Sequence, residues 1–141
     1  MEGPVFIDTG AFYALADPTD RQHQTAVDLL AHLDTQDAGF VTSTFVLAES
    51  YGLILQRLRR QAARAFLSGT RRSAKTTLVL PSEGDLAAAE EILGQYDDQD
   101  FSYVDAVSFA LIARLRIRRA FAFDSHFTVF RPRSGPLILN R

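Results

Sequence analysis

Val5-Phe6-Ile7-Asp8-Thr9-Gly10-Ala11-Phe12-Tyr13-Ala14-Leu15-Ala16 sets the fold class. Its first three residues form a continuous apolar run, the pattern of a strand buried on both faces. Asp8-Thr9-Gly10 has turn chemistry. The residues from Ala11 to Ala16 then predict a helical turn, closed by Asp17-Pro18. A buried strand feeding straight into a helix is the opening of an alternating strand–helix chain.

The alternation continues outward from that stretch. Thr19 or Asp20 is placed to cap a second helix, whose Ala26, Leu29, Leu30 and Leu33 keep helical spacing. Gly39-Phe40-Val41-Thr42 reads as a second strand, and Ser43 or Thr44 caps the helix carrying Phe45, Val46, Ala48, Leu53 and Leu55. A further helix surrounds Ala62 to Leu67. Thr76 to Leu80 is a third strand stopped by Pro81. Ser82-Glu83-Gly84-Asp85 then resembles a capping box, with Asp in place of the usual Glu, for a helix reaching about Tyr96. Ser102 to about Leu115 is the next helix and Ala120 to Phe123 a fourth strand. The tail holds Pro132, Gly135 and Pro136, then Leu137-Ile138-Leu139 as a candidate edge strand. Such a pattern predicts an α/β fold in three layers, α/β/α, around a mainly parallel sheet of four to five strands. Residues 1–141 form one domain, with no repeat, linker or low-complexity segment.

Four acids interrupt apolar surroundings. Asp8 ends Val5-Phe6-Ile7, Glu49 lies within Phe45 to Tyr51, Asp105 within Tyr103 to Val107, and Asp124 follows Ala120 to Phe123. Carboxylates enter apolar environments only when paired or bound to metal. Each acid has an ordinary structural explanation beside the functional one. Asp8 and Asp124 suit turns at strand ends. Asp105 suits the N3 position of a helix capped by Ser102. Glu49 is harder to explain away, because its helical neighbours Phe45, Val46, Gly52 and Leu53 predict a buried position. In a parallel sheet the ligand site lies beyond the carboxyl ends of the strands, and all four acids are expected at that edge. Four convergent carboxylates suit a hard divalent cation, Mg²⁺ or Mn²⁺, rather than zinc. His23 and His32 read as helix-surface residues. His126 lies close to Asp124 and could help at the rim, although a non-functional position is the simpler reading.

Composition excludes other chemistry. The chain has 47% hydrophobic and 23% charged residues, net charge -2 and no cysteine, so disulfides and thiolate sites are ruled out. No apolar run approaches the roughly 20 residues that span a bilayer, and the first residues lack a signal-peptide pattern. The expectation is a soluble cytoplasmic protein. Basic residues are nearly all Arg, clustered over Arg57 to Arg72 and again over Arg114 to Arg119. They are solvated helix faces or phosphate contacts. Leu53, Leu55, Leu58 and Phe66 are core residues or an apolar interface.

The ordered set of Asp8-Thr9, Glu49 after the second strand, Asp100-Phe101-Ser102-Tyr103-Val104-Asp105 and Phe123-Asp124-Ser125-His126-Phe127 resembles a PIN domain. It is most similar to the single-domain ribonucleases of VapC-type toxin–antitoxin pairs, over essentially the whole chain. The resemblance implies a Mg²⁺- or Mn²⁺-dependent endoribonuclease with Asp8, Glu49, Asp105 and Asp124 as its catalytic, metal-holding acids. Asp100 would be an accessory acid, and Thr9 a hydroxyl that steadies Asp8. It also implies an RNA substrate, a homodimer, and a cognate VapB-type antitoxin whose tail sends an Arg into the acidic groove. Gly10 and Ala122 stand where many members carry hydroxyl residues, but the carboxylates are intact. A PIN nuclease of RNA processing, or an inactive RNA-binding module, would share these features. A haloacid-dehalogenase phosphatase would need an acid at Gly10, a receiver domain a late Lys, and a nucleotide-binding fold a Gly-rich loop.

Overall fold

All three residues of Val5–Ile7 are buried, as expected for the central strand of a covered parallel sheet. The computed structural model describes residues 3–130 and 137–141. Along the chain it contains β1 (Val5–Ile7), α1 (Thr9–Ala16), α2 (His23–Thr35), β2 (Phe40–Ser43), α3 (Thr44–Arg57) and α4 (Arg60–Arg72). These are followed by β3 (Thr76–Val79), α5 (Glu83–Gln95), α6 (Tyr103–Leu115), β4 (Arg119–Phe121), α7 (His126–Val129) and β5 (Leu137–Leu139). The strands form one sheet in the order β3-β2-β1-β4-β5. Every pairing is parallel. Right-handed crossovers place α1 to α4 over one face, since β1, β2 and β3 step in one direction. They place α5 and α6 over the other, since the chain then returns to β4. The three layers and the Leu137–Leu139 edge strand match expectation. Pro132, Gly135 and Pro136 lie outside the described residues.

Helix starts follow local chemistry. The Ser43 hydroxyl accepts the Val46 N–H at 3.0 Å and caps α3. Ser82 and Asp85 form the expected capping box on α5, and Ser102 and Asp105 a second on α6. The start of α2 differs from expectation. Thr19 is taken by the buried Asp17 carboxylate, which accepts both its N–H and its hydroxyl. Asp20 accepts the Gln22 N–H instead, so α2 begins only at His23. The His23 ring is not a free surface group, because its Nδ1 lies 2.7 Å from the Ala14 carbonyl in the last turn of α1. His32 is exposed as expected. Strand β4 starts one residue early and ends two early, and the short helix α7 was not foreseen. The Arg119 guanidinium is buried at the start of β4, where it donates to Gln36 Oε1 and the Gly3 carbonyl.

Around Phe109 the core is aromatic. Its ring packs on Phe101 at 5.0 Å and Phe127 at 4.9 Å, and stacks on Phe130 at 4.5 Å. A second cluster, Tyr13, Ile54 and Ala63, joins α1 to the α3–α4 hairpin. Of the interface candidates, Leu53, Leu58 and Phe66 pack against this cluster, while Leu55 is exposed.

Asp85 illustrates how a buried acid is satisfied structurally. It accepts Arg114 Nε at 2.6 Å and Nη2 at 2.9 Å, along with the Ser82 N–H. The Arg114 guanidinium beside it, followed by the Ser82 hydrogen bonds, holds its carboxyl below the usual range against the effect of burial. Asp85→Ala removes both the cap and this bidentate pair. The expected result is a melting temperature lower by roughly 5 °C or more, read by thermal denaturation.

Candidate metal centre

The carboxyl edge of the sheet collects the predicted acids. Asp8 directly follows β1 and starts α1 as its N-cap. Glu49 comes from the second turn of α3 and Asp105 from the first turn of α6, while Asp124 lies between β4 and α7. Asp8, Thr9, Gly10, Glu49, Leu53, Asp100, Ser102, Asp105, Asp124 and His126 line one pocket. Sequence reasoning placed its candidate residues together, Thr9 and Asp100 included.

Burial divides the four acids into two pairs. Asp8 and Asp105 are buried, at 3% and 6% exposure, whereas Glu49 and Asp124 are exposed. The expected burial of Glu49 is therefore corrected. The buried stripe of α3 is Val46, Leu47, Ser50 and Ile54, which leaves Glu49 on the flank facing the pocket. Asp124 does not end a strand. It follows β4 by three residues, and its Oδ1 accepts the His126 N–H at 2.9 Å.

The hydrogen bonds sort the acids further. The Thr9 hydroxyl donates to Glu49 Oε1 at 2.6 Å, so it steadies Glu49 rather than Asp8. Asp105 Oδ2 accepts the Ser102 N–H at 3.2 Å and also meets His126 Nδ1 at 2.8 Å. His126 Nδ1 lies 3.4 Å from Asp124 Oδ1 as well. One imidazole thus bridges two of the acids, a role the sequence left open. The signal was present in its placement two residues after Asp124, on the turn that faces α6. Partial burial opposes the imidazolium, yet Asp105, Asp124 and Asp100 together outweigh it and raise the His126 pKa.

Asp8 is the anomaly. Its Oδ1 is fully buried and has no hydrogen-bond partner. Burial pushes its pKa from 3.8 up to about 7. The backbone N–H of Thr9 works against the shift, and the charges of Asp105, Glu49 and Asp124 add to it. An orphaned carboxylate oxygen facing three other acids has the donor chemistry of a divalent-cation site. Asp105, Asp124 and His126 each offer a ligand atom within 4.8 Å of the others. The residues present fit such an ion.

This arrangement defines a class of protein. The PIN domain profile matches residues 5–131, and the chain belongs to the PIN-domain family, whose members are generally divalent-metal-dependent nucleases. Its relatives are VapC ribonucleases. It is 34% identical over 125 residues to the 23S rRNA-specific endonuclease VapC20 of Mycobacterium tuberculosis (strain H37Rv), covering 88% of this chain and 92% of that one. It is 28% identical over 132 residues to Ribonuclease VapC26 of the same strain, covering 93% and 95%. The crystal structure of VapC20, described as a Sarcin-Ricin loop cleaving toxin, superposes with a TM-score of 0.82 at 31% identity, over 89% of this chain and 93% of that one. FitAcB from Neisseria gonorrhoeae shares the fold, with a TM-score of 0.62 at 14% identity over 86% and 88% of the two chains. Among the described residues, no helix is long and apolar enough to cross a membrane.

Proposed function

We propose that this chain is the toxin of a VapBC-type pair, a single PIN domain hydrolysing RNA phosphodiesters at Asp8, Glu49, Asp105 and Asp124 with Mg²⁺ or Mn²⁺. The observation that carries the reading is the buried, unpartnered Oδ1 of Asp8 among three further acids. A bound divalent ion would lower the pKa of a water and offset charge on the scissile phosphate. Asp8 and Asp105, buried and fixed at an element start, are suited to hold the ion. Asp124 completes the set from the turn before α7, within reach of Asp105. Glu49, held by Thr9 yet exposed to the pocket, is suited to orient the attacking water. His126 holds Asp105 and Asp124 at a fixed spacing.

VapC20 is a 23S rRNA-specific endonuclease, which makes the sarcin–ricin hairpin of 23S rRNA the first substrate to try. Cleavage with Mg²⁺ or Mn²⁺ that EDTA abolishes supports the reading. Intact RNA across a panel of substrates, with either metal, counts against it. Retention of all four acids disfavours an inactive module, and a small DNA-binding antitoxin encoded just upstream would separate a toxin from a processing nuclease. A cognate VapB-type antitoxin, a homodimer and a cytoplasmic location belong to the same reading. The groove between α1 and α4, lined in part by Phe12, Leu15, Ala62 and Phe66, is an apolar surface of the kind such partners cover.

Metal also has an equilibrium readout. A ligand that binds only the folded state at a hundredfold excess over its Kd stabilises it by about 2.7 kcal/mol. Millimolar Mn²⁺ is therefore expected to raise the melting temperature of the wild type by roughly 5 °C or more. An unchanged melting curve would speak against the site.

A further inference from the structure

The two Arg clusters identified in the sequence divide by position: Arg57 to Arg64 lie at the α3–α4 turn, whereas Arg71 and Arg72, before β3, and Arg116 to Arg119, before and in β4, lie toward the amino edge of the sheet. Arg114 to Arg119 span the C-terminal end of α6 and the start of β4. That is the edge away from the acids, roughly 16 Å along α6 from Asp105. Within that cluster Arg114 is held by Asp85 and Arg119 is buried. The cluster from Arg57 to Arg72 begins beside the pocket. Glu49 and Leu53 line the pocket, and Arg57 continues the same α3 stripe one turn further, roughly 12 Å from Glu49 along the axis. Its guanidinium sits 5.3 Å from the centre of the Tyr13 ring, which fixes its direction. Arg59, Arg60, Gln61 and Arg64 then line a recess at the α3–α4 turn.

Charge is sharply segregated along the chain, although in space Lys75 pairs with Asp34 and Asp37. No acid occurs between Ser50 and Ser82, while that segment carries Arg57, Arg59, Arg60, Arg64, Arg71, Arg72 and Lys75. Those are seven of the 15 basic residues, so the rest of the chain has eight basic residues against 17 acidic ones. Among the described residues no carboxylate pairs with Arg57, Arg59, Arg60 or Arg64. The opposite wall of the pocket leads into Asp97, Asp98 and Asp100, which repel a polyanion.

We propose that the α3–α4 hairpin is a one-sided rail for the RNA backbone. Arg57, Arg59, Arg60 and Arg64 take phosphates flanking the scissile bond, and the acidic loop before α6 turns the strand away on the other side. The proposal rests on the ribonuclease reading for its ligand, but its test does not require cleavage. Binding of a fluorescent RNA hairpin is measured against salt concentration in the Asp8→Asn background. Each phosphate contact contributes about 0.7–0.9 to the slope of log K against log salt. Arg60→Gln with Arg64→Gln should therefore lower the slope by about 1.5, and Arg60→Lys with Arg64→Lys should retain it. Arg116→Asn with Arg118→Gln removes the same charge at the far edge and should leave the slope unchanged. In the active protein Arg60→Gln with Arg64→Gln should raise KM severalfold at unchanged kcat. Equal slopes for the hairpin Gln variant and the far-edge variant, an unmoved slope in the hairpin Gln variant, or no RNA binding at all would overturn the proposal. An absence of RNA cleavage by the wild type, with the slope difference intact, would instead overturn the nuclease reading alone.

Discussion

Asp8→Asn is expected to lower RNA cleavage by roughly 10³-fold or more, and to make the metal-free protein more stable at pH 8. Both effects have one cause. The carboxylate is buried and one of its oxygens has no partner. Its folded-state pKa is raised by that burial from 3.8 to about 7. The folded state therefore holds its proton more tightly than the unfolded chain does. Below pH 4 the group costs nothing. Stability is lost as the pH rises between those two values, and the full penalty of about 4 kcal/mol is present above pH 7. Asparagine keeps the shape and removes the charge. At pH 8 the variant should melt roughly 8–16 °C higher without metal. The difference should shrink as the pH falls and vanish near pH 4. Divalent metal should narrow it by stabilising only the wild type. A variant that melts below the wild type at pH 8 would show that the charge of Asp8 is compensated inside the protein, and would remove the main argument for a cation.

The second large effect lies behind the site. Phe109→Ala should cost roughly 3–5 kcal/mol in urea denaturation, a large share of the roughly 5–15 kcal/mol that holds a domain folded. The Phe109 ring touches Phe101, Phe127 and Phe130. Phe101 in turn meets the His126 ring at 5.1 Å. The cluster therefore sets α7 and the turn carrying Asp124 against α6, which carries Asp105. The cavity should loosen that wall, so the stabilisation by Mn²⁺ should also shrink. Phe109→Leu, which fills more of the space, should lose less of both. A cost below about 1 kcal/mol would mean that the neighbouring rings close the gap without moving the turn.

Most of this architecture could be read from local chemistry. Val5 to Ile7 identified a covered parallel strand because three apolar residues in a row leave no wet face. Ser43, Ser82 and Ser102 marked helix starts because their hydroxyls meet backbone N–H groups within the same turn. What failed depended on contacts remote in sequence. Glu49 looked buried because a helical stripe read one residue out of phase differs little in hydrophobicity, and only packing against α1, α4 and α6 fixes the phase. The Thr9 hydroxyl was assigned to its neighbour Asp8, but it reaches Glu49, which lies 40 residues away. His126 bridges to Asp105 across 21 residues. Asp85 was foreseen as a cap, while its pairing with Arg114 was not. That pair removes Arg114 from the set of RNA-binding candidates.

Asp105 divides its labour between its two oxygens. Oδ2 receives both the Ser102 N–H that starts α6 and the His126 ring. Oδ1 has neither duty and remains for whatever enters the pocket. One atom of the carboxylate belongs to the architecture, and the other is left open toward the pocket. The position is therefore constrained twice over. On the proposed reading, a replacement that preserves the helix start but lacks the second oxygen should fold and fail to cleave RNA, while one that lacks both should also unsettle the wall around it.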